Sequence, residues 1–308
     1  MARGPFESYG YARVAANAAT AYVRPGDTPR VLHDTGDIDP AVEPADSDWS
    51  RAWVRLDIAT SVLRQQDAAV PRRQVGVYRM GTSYSSTFPV SLPTDPDDPA
   101  GVARNDQAAF DQLDQMLCHW DRPHRRSYHW MVTLDDEPHA VELSQQCQAV
   151  LPEDGLDLIP PESLHLTVRR FGYVDEVPAG TLDTAVTAVS EYCRTTRPFH
   201  LRLFPLAGSP GALRFSVAPW SPLLFLHRAV SEASGYDDVD PLTLYRPHVG
   251  IAYSNRVQPP GPFIAAAHKA RPVPSTAITV TELRLVELYR TDHQYRWHVL
   301  ERFSLAGA

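Results

Sequence analysis

The chain has 308 residues, 43% of them hydrophobic and 21% charged, ordinary proportions for a globular protein able to bury a core. A net charge of -8 argues against a broad basic surface for tracking long nucleic acid, though a small pocket reading one phosphate is compatible with it. Lys269 is the only lysine and lies in an Ala-rich helical stretch, which argues against ATP-dependent ligation through a lysyl-adenylate.

Residues 1–47 are rich in Ala, Pro, Gly and Asp without a sustained period and read as irregular. Trp53, Leu56 and Leu63 at helical spacing predict a helix over about 48–66. The Pro- and Asp-rich stretch 67–103 reads as loop or linker. A second helix is predicted over about 104–121, with Phe110, Leu113, Leu117 and Trp120 on its apolar stripe. Residues 1–127 are therefore read as an N-terminal extension and 128–308 as the domain that carries chemistry.

From Tyr128 short strands and helices alternate. Strands are expected at Tyr128–Leu134, Leu164–Phe171, His200–Pro205, Leu213–Ala218, His248–Ser254, Ala277–Leu288 and Arg296–Leu305. Between them fall the helical stripes Ala140/Leu143/Cys147/Val150, Leu182/Val186/Val189/Cys193 and Leu223/Leu226/Val230/Ala233, with a short helix at Phe263–Ala270. Ser221 is read as the N-cap of the third stripe, with Pro222 in its first turn. Each half runs strand, helix, His-bearing strand, helix, strand, and 37 positions separate Tyr128 from His165 against 36 from Ala212 to His248. Duplicated modules of this kind stack about a pseudo-dyad and would bring the two His strands together.

Cys118, Cys147 and Cys193 fit no zinc spacing and read as free thiols. No segment approaches the roughly 18 apolar residues of a membrane span, nor does the N-terminus have the core of a signal peptide. The expectation is a soluble, cytoplasmic protein with no membrane partner.

In Ser163–Gly172, His165, Thr167 and Arg169 alternate with Leu166 and Val168, so on a strand they share one face. An imidazole, a hydroxyl and a guanidinium side by side suit a phosphate ester. In Leu244–Ser254 the polar parity holds Arg246, His248, Gly250 and Ser254, and the other Val249, Ile251 and Tyr253. His119, His124 and His129 lie five apart, a spacing of neither helix nor strand ligands, and read as unrelated to the site.

His165-Leu166-Thr167-Val168 and His248-Val249-Gly250-Ile251, with Phe171-Gly172 trailing the first and Arg246-Pro247 preceding the second, resemble the paired tetrapeptides of the 2H phosphoesterase superfamily. Its members include the RNA 2',3'-cyclic phosphodiesterases also called 2'-5' RNA ligases. The resemblance covers roughly Tyr128 to Leu305. It implies an α+β, bilobal, pseudo-twofold fold with two antiparallel sheets flanked by helices and a central cleft, the N-terminal extension lying outside it. It also implies a cyclic phosphodiesterase without metal or other cofactor, with an associated 2'-5' ligating direction. His165 and His248 would be general acid and base, and Thr167, Arg169 and Arg246 would hold the phosphate. The expected partner is a nucleotide or RNA terminus bearing a cyclic phosphate, with a protein contact through residues 1–127 left open.

Gly250 departs from the family's Thr or Ser. A lost charge-assisted hydrogen bond of that kind is worth roughly 1.5–3 kcal/mol, or about ten- to a hundred-fold in rate if it acts only in the transition state. A binding protein descended from the enzyme, or a phosphoesterase of a specialised small metabolite, are the competing readings.

Overall fold

The computed structural model describes residues 12–16, 19–23, 88–121, 124–236 and 245–306. The helix expected over 48–66 lies outside them. The chain divides into two compact units, Met1–Arg79 and Met80–Ala308. In the first, β1 (Ala12–Ala16) and β2 (Ala19–Val23) form an antiparallel pair, within a stretch read from composition as irregular.

The second unit opens with α1 (Pro99–Asp111), where Asp98 caps the backbone N–H of Ala100 and proline occupies the first turn. Then come β3 (Ser127–Thr133), α2 (Pro138–Gln148), β4 (Leu156–Leu158), β5 (His165–Tyr173), α3 (Thr181–Thr195) and β6 (Phe199–Ser209). The chain continues through β7 (Ala212–Ala218), α4 (Ser221–Ala233), β8 (His248–Ser254), α5 (Gly261–Ala270), β9 (Thr276–Val280), β10 (Glu282–Thr291) and β11 (Gln294–Ser304). Two antiparallel sheets result, β11-β10-β3-β5 and β4-β8-β7-β6-β9, each burying its apolar parity against helices.

The helix predicted over 104–121 begins at the Asp98 cap and ends at Asp111. Beyond it the backbone finds partners in extended form: Met116 pairs with Gln258, Leu117 N–H bonds Pro210 O, and His119 N–H bonds Ser254 O. Those bonds satisfy groups that another helical turn would otherwise bond, and tertiary pairing overrides the Leu113–Leu117–Trp120 stripe. Segment 88–121 therefore belongs to the compact unit that carries both His strands.

The two sequence repeats are not the two lobes. α2 from the first repeat packs with α5 from the second on the five-stranded sheet, while α4 from the second packs with α3 on the four-stranded sheet. The expected strand Ala277–Leu288 breaks at Thr281, so that β9 joins one sheet and β10 the other. Each lobe is thus an exchange between repeats. Ser221 is not the cap of α4; its own N–H is capped by the Asp97 carboxylate at 2.8 Å. All three cysteines are free. Among the described residues no helix is long and apolar enough to cross a membrane.

Candidate active site

His165 and His248 are the first residues of β5 and β8, which pack against each other. Each ring is held in the same way. His165 Nδ1 lies 2.8 Å from Ser163 O, and His248 Nδ1 lies 2.8 Å from Arg246 O. A carbonyl only accepts, so both Nδ1 atoms carry the proton and donate it, leaving both Nε2 atoms as the reactive ones. Burial is the main cause lowering both imidazole pKa values, His248 to about 3, with Arg214 and His165 adding to the shift at His248. The first ring also meets Trp297 edge-on at 5.4 Å.

Beyond the histidines, the alternation read from sequence breaks at the same place in both lobes. In the pairing of β3 with β5, Met131 lies opposite Thr167 and Trp130 opposite Arg169, so Val168 is an extra, bulged residue. Trp130 and Met131 point to opposite faces, and the bulge carries Arg169 away from the face of His165 and Thr167. Arg169 lies over the Tyr236 ring at 3.9 Å and donates to His227 Nε2 of α4 at 3.2 Å. Arg170, opposite His129, stands on the cleft face instead, packed on Tyr173 and donating to its hydroxyl at 3.2 Å. Of the expected trio, His165 and Thr167 stay together and Arg169 leaves.

In the pairing of β7 with β8, Ser216 lies opposite His248, Arg214 opposite Gly250 and Leu213 opposite Ala252, so Ile251 is the bulged residue. Tyr253, opposite Ala212, thereby turns onto the face of His248 and Gly250, the reverse of its parity in the sequence. It joins Ile159, Pro160, His165 and Tyr295 around a shallow pocket. His119 stacks on its back at 4.0 Å and meets the Tyr295 hydroxyl at 3.0 Å. His119 therefore braces two residues of the pocket wall, Tyr253 and Tyr295, and burial first, then Arg170 and His165, lower the His129 pKa to about 3; the five-residue spacing concealed both. A Cβ at Gly250 would lie 3.1 Å from Ile159 Cδ1 and 3.8 Å from Tyr253 Oη.

Arg246 is buried, donating from Nε to Pro89 O at 3.1 Å and from Nη1 to Tyr245 O at 3.0 Å. Beside it are two groups the sequence reading passed over. Arg214, 1% exposed, donates to Phe88 O at 2.7 Å, and Asp106 of α1 is buried against Arg214, Ser216 and Arg246. The signal for Arg214 was present: Arg214 and Ser216 alternate with Leu213, Phe215 and Val217 as two polar residues on one parity of an otherwise apolar strand. Among the described residues no three His, Cys, Asp or Glu side chains converge as metal ligands would.

The family model described as the 2'-5' RNA ligase superfamily matches residues 135–292. Two solved structures are similar in fold. TT0787 of Thermus thermophilus is 22% identical, covering 59% of this chain and 98% of its own, with a TM-score of 0.45. Escherichia coli LigT in its apo form is 16% identical, covering 60% and 99%, with a TM-score of 0.43. No curated protein matches the chain.

Proposed function

The chain belongs to the 2'-5' RNA ligase superfamily, and from that membership we propose that it is a metal-independent phosphodiesterase hydrolysing a 2',3'-cyclic phosphate or a related 2'-linked phosphodiester of RNA or a nucleotide. One observation carries the reading: two imidazoles on facing strands, each with Nδ1 fixed on a carbonyl two residues back and Nε2 left for proton transfer.

Hydrolysis of the cyclic diester needs one imidazole neutral and the other protonated. The neutral Nε2 takes a proton from water as the water oxygen forms its bond to phosphorus. The P–O bond to the ribose breaks on the opposite side, and the departing oxygen takes the proton from the Nε2–H of the imidazolium. A phosphomonoester results, and the two rings have exchanged protonation states. Thr167 donates its hydroxyl to a non-bridging oxygen, and Arg170 supplies positive charge on the same face. Arg246 contributes its carbonyl to His248 and a buried charge behind it.

The test is turnover of nucleoside 2',3'-cyclic phosphates with EDTA present, for wild type, His165→Ala and His248→Ala. Activity that survives chelation and disappears in both variants is the expected result. Activity retained in either variant removes the two-histidine mechanism. The competing reading, a nucleotide- or RNA-end-binding protein with weakened catalysis, is favoured by Gly250; it predicts nucleotide binding without turnover in wild type.

A further inference from the structure

The bulged strands allow the two lobes to be compared position by position. Thr167 follows His165 by two and faces Met131; Gly250 follows His248 by two and faces Arg214. A hydroxyl with an apolar neighbour in one lobe thus corresponds to a bare backbone with a cationic neighbour in the other. We infer that Arg214 takes over from the adjacent strand the anion-stabilising part that Gly250 leaves open, acting as a positioning residue for His248 and the phosphoryl group. This rests on the function proposed above and names the group that sustains it in the second lobe.

Three observations carry the inference. Arg214 is almost wholly buried and occupies the face of Gly250 and His248. Its Nε is buried without a hydrogen-bond partner among the described residues, so one donor of the guanidinium is uncommitted. Its charge is only partly offset by Asp106, because burial pushes that carboxyl toward its neutral form. A cation in such surroundings acts over a longer range than one in water. The charged and titratable groups that bear on His248 are Arg214 on β7, Arg246 at the entry to β8, His165 on β5 and, through the two arginines, Asp106 on α1. Burial first, then the Arg214 cation, resist protonation of His248 against the opposing pull of the Arg246 carbonyl, which favours it as the group that takes the proton from water.

The experiment compares wild type with Arg214→Gln, Arg214→Lys and the double variant Arg214→Gln/Gly250→Thr. It reads inorganic phosphate binding by calorimetry, the pH profile of kcat/KM on a nucleoside 2',3'-cyclic phosphate, and the thermal midpoint. Gln keeps a donor for Phe88 O without the charge; Lys keeps the charge. The expected result for Arg214→Gln is phosphate binding weakened at least about tenfold, kcat lowered about ten- to a hundred-fold, and the acid limb of the profile moved to higher pH. Arg214→Lys should hold most of both activities, and Gly250→Thr should recover part of what Gln lost. Phosphate binding and pH profile unchanged in a folded Arg214→Gln would overturn the inference. So would equal losses in Gln and Lys alongside a fallen midpoint, or a wild type that binds no phosphate. A wild type that binds phosphate through Arg214 yet turns over no cyclic phosphate would overturn the proposed reaction and leave the role of Arg214 standing.

Discussion

Val168 and Ile251 occupy equivalent places in the two lobes: each is the third residue after its histidine, and each is the extra residue of a β-bulge. Up to the bulge the side chains alternate as the sequence suggests, and just beyond it they are inverted, until in β5 a second register shift at Phe171 restores the original parity at Tyr173. The fifth residue after each histidine, Arg170 in one lobe and Tyr253 in the other, is thereby turned into the cleft. A repeated bulge is a repeated way of re-aiming one side chain, and it decides which arginine of the Arg169-Arg170 pair shares the face of His165.

Arg170→Met should therefore lower kcat/KM about ten- to a hundred-fold, the range of a lost charge-assisted contact, with little change in thermal midpoint. Arg169→Met should do the reverse, because Arg169 packs on Tyr236 and bonds His227: lower stability, with turnover close to wild type. Steady-state kinetics and thermal unfolding of the two variants separate the outcomes. A larger kinetic loss for Arg169 would mean that the bulge does not govern the site.

The strands, their histidines and most helices were legible because apolar periodicity records burial, and β8 runs over the seven residues expected, His248–Ser254. The bulges were not, since Val168 and Ile251 are apolar residues in apolar positions and nothing in their side chains marks an extra residue. Nor was the exchange of helices between repeats, because α2 and α4 carry apolar stripes that fit either sheet. The end of α1 was missed for a different reason: Leu117 N–H and His119 N–H bond groups more than 90 residues away, and no local pattern announces such partners. Arg214 was legible and unread.

Gly250 is kept small by its neighbour. A Cβ there would press on Ile159 Cδ1 at 3.1 Å, so Gly250→Thr should cost about 1–2 kcal/mol of stability through overpacking. Ile159→Val removes the crowding atom and should return most of that loss in the double variant. Urea unfolding of the four proteins of this cycle measures the coupling. Additive losses would show that Ile159 is not what limits the site.

Asp97 holds the N-terminus of α4, accepting from Ser221 N–H at 2.8 Å and from its hydroxyl, although 124 positions separate the two residues. Asp97→Ala should lower unfolding free energy by about 0.5–2 kcal/mol, the usual worth of an N-cap. The same change should quicken amide exchange at Trp220, whose N–H bonds Pro96 O. Wild-type exchange at Trp220 in a destabilised Asp97→Ala would confine the effect to the cap.

His227 makes the fold acid-sensitive. It is 4% exposed, and burial first, then the Arg169 cation, push its pKa down to about 3. An unfolded chain carries this imidazole at its ordinary pKa near 6.5, so between pH 6.5 and pH 3 the unfolded state binds a proton that the folded state refuses. Stability from this group is complete above pH 6.5 and is lost as pH falls through that window, by up to about 1.4 kcal/mol per pH unit. His129 and His248, both also lowered to about 3, add to the same slope. His227→Gln keeps an acceptor for Arg169 and does not titrate. Urea unfolding at pH 7.5, 6.5 and 5.5 should show the variant losing less stability per pH unit than wild type, with the difference confined below pH 6.5. Parallel slopes would mean that His227 takes up its proton in the folded protein as readily as in the unfolded chain.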